Sequence, residues 1–385
     1  MDYKEEALKL HEAKKGKIAI RSKVKLRTKE DLSIAYTPGV AEPCIKISQN
    51  PADIFKYTSK SNMVAVVTDG SAVLGLGNIG AEAALPVMEG KAVLFKELAG
   101  IDAFPICIKT QNSDEIVNII KNIAPVFGAI NLEDISAPRC FDIEMRLQDL
   151  GIPVMHDDQH GTAVVVLAGL INALKVINKK FGDVKIVING AGAAGNAIAK
   201  LLLHYTKIKD IIICDTKGII YEGRNDDDKN KTELAGITNK NKLKGALVDA
   251  IAGANVFIGV SKPGLVTKEM IKTMSEKPIV FALSNPIPEI MPHDAKEAGA
   301  IVIATGRSDF PNQINNALGF PGIFKGALAA RALWITDKMK IAAAEAIANC
   351  IEDPTAERIV PDVLDKRVVK KVAKAVKKAA REGRY

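Results

Sequence analysis

Apolar positions along this chain fall into short runs and helical stretches that alternate most regularly in its middle. A long apolar helix is expected at 162–177, followed by a strand-like run at 184–189, a helix at 193–205 and a second β-rich run at 211–214. Further strands are expected at 256–259, 278–283 and 301–304, with helical segments such as 243–252 between them. This alternation predicts a parallel sheet with covering helices, because parallel neighbours need a crossover long enough to hold a helix. Upstream, helical stretches mix with short apolar runs at 63–68 and 103–108, the pattern of another α/β unit. Beyond Pro321 the chain turns helical, and Pro354 and Pro361 punctuate it before a basic end.

The run at 184–189 leads straight into Gly190-Ala191-Gly192-Ala193-Ala194-Gly195, where a helix-forming stretch begins. This is a dinucleotide fingerprint in the context it requires. Gly190 permits the tight turn, Gly192 lets the backbone approach a pyrophosphate, and Gly195 lets the helix lie close to the strand. The helix start, with Ala193 and Ala194, offers free N–H groups and positive dipole to the phosphates. Asp215 closes the next strand, 20 residues after Gly195, where an acid would accept hydrogen bonds from a ribose. The expected fold class is therefore α/β. It comprises an N-terminal α/β domain over 1–155, a Rossmann-like doubly wound parallel-sheet domain over 156–330, and a C-terminal helical segment over 331–385 packing on the fold. A second match, Gly75-Leu76-Gly77-Asn78-Ile79-Gly80, has no acid-tipped strand after it and reads as a glycine-rich turn near an active site. Asp215 favours NAD, while Lys217 and Arg224 would offset its repulsion of a 2′-phosphate and Asp226, Asp227 and Asp228 would restore it, so either NAD or NADP remains open.

At 385 residues the chain can bury a sizeable core without staples, and its five cysteines lie far apart with no C-x-x-C pair. A reducing cytoplasm is expected. The first 17 residues carry charges every few positions, and no later run reaches about 18 uninterrupted apolar residues, so neither signal peptide nor membrane span is expected. The net charge of +8 is concentrated at the two ends. The C-terminal set, from Lys366 to Arg381, alternates with Val368, Val369, Val372, Ala375 and Val376 as in a surface helix with one docked face. Aromatic residues for stacking on bases are nearly absent there, which favours a solvated face over a nucleic-acid site. Such a field would also attract a small anionic substrate and cofactor.

Two acidic clusters stand out, Glu133-Asp134 and His156-Asp157-Asp158-Gln159-His160. Neighbouring side chains on a strand point to opposite faces, so Glu133 and Asp134 can share an ion only from a turn or a helix start. Three carboxylates with open water positions suit magnesium or manganese. The two histidines raise zinc as an alternative, without the Glu that would follow the first His of a zinc-protease helix. The plain alternative is helix capping, with Asp158 shortly before the helix at 162–177. Spacing alone leaves ligand and cap open.

Ile34-Ala35-Tyr36-Thr37-Pro38-Gly39-Val40-Ala41, Thr68-Asp69-Gly70 with Leu74-Gly75-Leu76-Gly77-Asn78, and Glu89-Gly90-Lys91 form an ordered series. Asn131-Leu132-Glu133-Asp134, Asp157-Asp158-Gln159-His160-Gly161-Thr162-Ala163, Ser284-Asn285-Pro286 and Gln313-Ile314-Asn315-Asn316 continue it. In kind and order these resemble the signatures of malic enzymes of the short microbial type. The resemblance implies NAD(P)- and metal-dependent oxidative decarboxylation of malate to pyruvate and carbon dioxide. It implies Tyr36 and Lys91 as acid and base, and Glu133, Asp134 and Asp158 as ligands of Mg2+ or Mn2+. It also implies that Asn285, Asn315 and Asn316 touch substrate or nicotinamide, and that the chain forms a homodimer or a dimer of dimers. Lys91 would need a pKa depressed by burial or a nearby cation to act as a base at neutral pH. Ala72 stands where longer family members carry an arginine, which leaves the anchor for the substrate's C1 carboxylate open. Two competing readings are a hydroxy-acid dehydrogenase that does not decarboxylate and a dinucleotide sensor without catalysis.

Overall fold

Two largely parallel sheets carry the apolar runs. The computed structural model describes residues 3–73 and 75–383, and Leu74 of the glycine turn lies outside them. The first sheet has the order β2-β1-β3-β4, from β1 (Met63–Thr68), β2 (Asp102–Cys107), β3 (Ala129–Leu132) and β4 (Val154–His156), all parallel. The second has the order β10-β9-β8-β5-β6-β7. Its strands are β5 (Lys185–Asn189), β6 (Asp210–Asp215), β7 (Gly218–Ile219), β8 (Val256–Gly259), β9 (Ile279–Ala282) and β10 (Val302–Thr305). The strand order reverses about β5, which gives the ligand crevice of a Rossmann-type sheet. β7 departs from the all-parallel expectation: it pairs antiparallel with β6 through Cys214↔Ile219 and Asp215↔Gly218. β1, β3, β5, β8 and β9 are buried almost throughout, because helices cover both faces of a parallel sheet.

The helix Asp157–Ile177 runs between the sheets and joins their cores. Val164, Leu167, Leu170 and Leu174 from this helix share one apolar cluster with Val64, Val66 and Phe95 on one side and Ile186, Ile188 and Phe281 on the other. Gly169 allows its close approach, since a Cβ there would lie 2.8 Å from Ile314 Cδ1 and 3.4 Å from the Phe281 ring. By length and composition this helix could cross a membrane, yet 72% of its most apolar window is buried inside the protein, the mark of a core helix. It begins five residues before the expected 162, with Asp157 and Asp158 in its first turn, where the helix dipole favours carboxylates. Asp158 is therefore not its cap. The helix expected at 243–252 shortens to Leu247–Ile251, because Gly245 (φ 140°) and Lys242 (φ 52°) break the chain before it.

The two ends of the chain behave differently. Helices Phe320–Ala330, Asp337–Ala348 and Lys366–Glu382 pack together, with Val368, Val369, Val372 and Val376 docked and the basic side chains outward. Gly322 and Gly326 form the seam: a Cβ at either would lie 2.6 Å or 2.7 Å from the Cβ of Val372 or Val376. By contrast, the helices Tyr3–Lys14, Lys29–Ala35 and Ala41–Gln49 contain no buried residue. Ile20, Val24, Leu26, Ile34, Tyr36 and Ile45 stay exposed along this segment.

Candidate active site

Lys91 projects from the helix Ala81–Leu94 into a buried group of carboxylates. Its Nζ lies 2.6 Å from Asp157 Oδ2 and 2.7 Å from Glu133 Oε1, and 4.2 Å from the centre of the Phe320 ring. A desolvated cation over a ring gains about 2 kcal/mol. Burial alone would lower the lysine's pKa, but Asp157, Glu133 and Asp158 outweigh it and hold the pKa well above the ordinary value. Of the two expected ways to depress this pKa, burial is outweighed, because the acids surrounding Lys91 outnumber it; the nearby cation remains. Burial pushes Glu133 and Asp157 up to about 7, with Lys91 opposing in both cases. Asp158 also moves upward, from burial first.

Glu133 and Asp134 follow β3 in a turn, Asp134 in the left-handed region at φ 53°, so the two adjacent carboxylates can face one point. Oxygens of Glu133, Asp134 and Asp158 all lie within 4.8 Å of one another. Asp158 Oδ2 accepts the Asp134 N–H at 2.8 Å, and Asn131 donates to Glu133 Oε2 at 2.8 Å. The donor set is oxygen only, which fits a hard divalent cation such as magnesium or manganese. Neither histidine joins this set, which removes the support for zinc. His160 Nε2 lies 3.0 Å from Glu144 Oε2, and His156 is fully buried and held neutral by burial, its pKa lowered to about 4. Glu144 also accepts the His156 N–H and the Gln159 amide, which braces the first turn of the long helix.

The loop after β1 is stitched to the Glu133–Asp134 turn. Ala72 N–H donates to the Asp134 carbonyl at 2.9 Å, and Ser136 N–H donates to Ser71 Oγ at 2.9 Å. Arg139 Nη2 donates to Asp69 Oδ2 and Ser71 Oγ at 2.7 and 2.9 Å, so a guanidinium does stand at this loop although Ala72 carries none. Tyr36 is not brought to the buried group: it is 66% exposed, at the end of the helix Lys29–Ala35.

At the second sheet, Gly190 turns at φ 121° and a Cβ on Gly195 would lie 1.7 Å from the Gly190 carbonyl oxygen. A Cβ on Gly192 would meet nothing within 4 Å, so the backbone beside Ala193 and Ala194 faces open space, as a pyrophosphate cradle requires. Asp215 is fully engaged. Oδ1 accepts the Lys217 N–H and Arg224 Nη1, and Oδ2 accepts Arg224 Nη2 and Lys231 Nζ, at 2.7–3.0 Å. Although burial opposes it, these donors hold the Asp215 pKa down at about 2. All of its roughly four lone-pair sites are used, so the preference for NAD read from this acid has no free acceptor behind it.

Asn285 links the two sheets. A Cβ on Gly75 would lie 2.5 Å from its carbonyl oxygen, so the second glycine-rich turn rests against the loop after β9. Asn315 Oδ1 accepts the Ala317 N–H at 2.9 Å and caps the short turn Asn316–Leu318. Asn316 borders Gly161, where a Cβ would lie 3.2 Å from Asn316 Cβ and 1.7 Å from Asp157 Oδ1. Asp157 stands in the acidic cluster 156–160 of the sequence without a role of its own, and no motif marks Glu144 or Arg139. Gly161, four residues after Asp157 in the helix, leaves the room into which the Asp157 carboxylate folds.

A Rossmann-type sheet facing a buried lysine and a set of oxygen ligands defines an NAD(P)-dependent oxidoreductase. The chain belongs to the malic enzyme family: residues 14–148 match the malic enzyme N-terminal domain and residues 159–381 the malic enzyme NAD binding domain. The bifunctional malic/malolactic enzyme of Bacillus subtilis is 58% identical over 386 residues, covering 99% of this chain and 94% of that protein. The NADP-dependent malic enzyme of Escherichia coli is 45% identical across 98% of this chain, which spans 52% of that longer protein. The crystal structure of the NAD-dependent malic enzyme from Thermotoga maritima superposes with a TM-score of 0.94 at 51% identity, covering 96% of this chain and 98% of that one.

Proposed function

We propose that the protein oxidises and decarboxylates (S)-malate to pyruvate and carbon dioxide with NAD or NADP. The observation that carries this reading is Lys91, buried within hydrogen-bond distance of Asp157 and Glu133 beside a three-carboxylate ligand set. Glu133, Asp134 and Asp158 would hold Mg2+ or Mn2+, and the turn Gly190, Gly192, Ala193, Ala194 and Gly195 would cradle the dinucleotide. When bound, the cation would neutralise the carboxylate field that raises Lys91 and polarise the substrate oxygens, and the nicotinamide would accept hydride. Lys91, once it has passed a proton to Asp157 Oδ2, would then take the C2 hydroxyl proton on its neutral amine. Asn285, Asn315 and Asn316 would orient substrate and nicotinamide, and Tyr36, which the single chain leaves exposed, would protonate C3 after carbon dioxide leaves once assembly with the second copy brings its segment to the buried group.

We assign the catalytic unit to 1–155, the dinucleotide unit to 156–330 and the helical segment to 331–385, in a cytoplasmic homodimer. The exposed apolar side chains of the N-terminal segment support the dimer, since a second copy would bury them. Light scattering would show two copies per particle, and a stable, active monomer would refute the assembly. The decisive assay mixes malate, manganese and each cofactor and follows both reduced nicotinamide and pyruvate. Cofactor reduction that yields oxaloacetate without pyruvate would reject the decarboxylating assignment.

A further inference from the structure

Glu289 is fully buried and takes no part in the chemistry above. Its two oxygens reach different loops: Oε1 accepts the Ser261 N–H at 3.0 Å and Oε2 the Ser284 N–H at 3.1 Å. These serines follow the neighbouring strands β8 and β9, so one side chain spans two loops at the carboxyl edge of the sheet, where open α/β sheets hold their ligands. Ser284 Oγ also donates to the Ser261 carbonyl at 3.4 Å, and Val266 N–H to the Glu289 carbonyl at 3.1 Å. Gly259 makes the room, since a Cβ there would lie 2.4 Å from Glu289 Cδ. The carboxylate faces backbone donors and no cation among the described residues. A buried unpaired carboxylate is costly, and an apolar side chain of similar volume would fill the space at less cost. What only the carboxylate can do is accept from both loops at once. Asn285, the next residue after Ser284, is confined as closely: a Cβ on Gly306 would lie 2.7 Å from its Nδ2. A shift at Ser284 therefore reaches the Asn285 amide.

We propose that Glu289 is a positioning residue for hydride transfer, locking the β8 and β9 loops together and thereby setting the Asn285 side chain against the reacting groups. This rests on the malate-oxidising reading. Glu289→Gln keeps the volume but turns an amide NH2 against one of the two backbone donors, and Gly259→Ala displaces the carboxylate from the opposite side. Both variants are compared with the unaltered protein by thermal melting, by fluorescence titration of NADH and NADPH, and by oxidation of malate and C2-deuterated malate. Turnover per folded molecule should fall roughly tenfold to a hundredfold, the scale at which a displacement of about 1 Å acts. The deuterium isotope effect should rise as hydride transfer becomes limiting, while reduced-cofactor affinity changes by less than about threefold. Glu289→Asp, able to reach one amide of the two, should fall between. A lowered melting temperature with unchanged turnover and isotope effect per folded molecule would make Glu289 a packing residue and overturn the inference. Slower turnover with an unchanged isotope effect would overturn it too. Should Glu289→Gln not fold, Glu289→Asp and Gly259→Ala carry the same comparison. An unaltered protein that binds NADH but does not oxidise malate would overturn the reaction itself, and this inference with it.

Discussion

Two buried charge clusters in this molecule are balanced in opposite ways. At the edge of the second sheet, Arg224 and Lys231 pair with Asp215, Arg224 pairs with Asp226, and every oxygen of Asp215 is occupied. Beside the first sheet, Lys91 faces Glu133, Asp157 and Asp158, and the acids are pushed upward. The balanced cluster is finished within the chain and serves its fold. The unbalanced one is short of positive charge, and that shortfall is what a divalent cation would meet. Perturbed groups therefore mark function where charge is left over, rather than wherever charges are buried.

The contrast can be broken most sharply at Lys91. Lys91→Ala should lower malate oxidation by about 10²- to 10⁴-fold, the range of general acid–base catalysis, with cofactor affinity nearly intact. Asp158→Ala should instead raise the manganese needed for half-maximal rate and regain part of its activity at high manganese. Near-normal turnover of the first, or unchanged metal dependence of the second, measured across a manganese titration, would reject this division of labour. On the balanced side, Arg224→Ala leaves Asp215 and Asp226 without their shared guanidinium and should cost about 3–5 kcal/mol of stability by denaturant unfolding. A loss below about 1 kcal/mol would show that the pair is not structural.

Acidity gives a third comparison. Glu133 and Asp157, raised to about 7, hold protons in the folded chain that the unfolded chain has already released. The stability they add is present at low pH and lost as pH rises through 7. His156, lowered to about 4, acts in the opposite direction, but only below its ordinary 6.5. Metal-free protein should therefore melt roughly 2–4 °C lower at pH 8 than at pH 6.5, and manganese should narrow the gap. Scanning fluorimetry showing no pH dependence, or the reverse, would refute the charge shortfall. The smallest effect is expected at Lys231. Lys231→Ala returns one acceptor site to Asp215 and should shift the NAD-to-NADP preference toward NAD by roughly threefold to tenfold, the scale of one net hydrogen bond. An unchanged ratio of kcat/KM values would show that this carboxylate does not reach the ribose.

Much of the fold could be read from apolar runs. β1, β8 and the helix Ala193–Tyr205 match their expected limits, because each is a run bounded by glycine or polar residues. β3 and β4 carry no such mark: Asn131 interrupts the apolar run Ala129–Leu132, and β4, at three residues, is shorter than a usual strand. The convergence of Glu133, Asp134 and Asp158 was legible through their motifs, whereas Asp157 was obscured by its neighbour. Adjacent helical residues point about 100° apart, so Asp157 turns inward to Lys91 while Asp158 stays partly exposed. Tyr36 shows the limit from the other side, since its motif says nothing of whether this chain alone would cover it.

The glycine seam under the terminal helix has a consequence for anyone shortening or fusing this protein. Val372 and Val376 sit in the gaps left by Gly322 and Gly326, on the same short helix whose first residue, Phe320, lies under the Lys91 ammonium. Truncation near residue 365 would strip that seam and let Phe320 drift, so activity should fall before secondary structure does. A peptide grafted into the docked valine face would act as a remote poison of a lysine that it never touches.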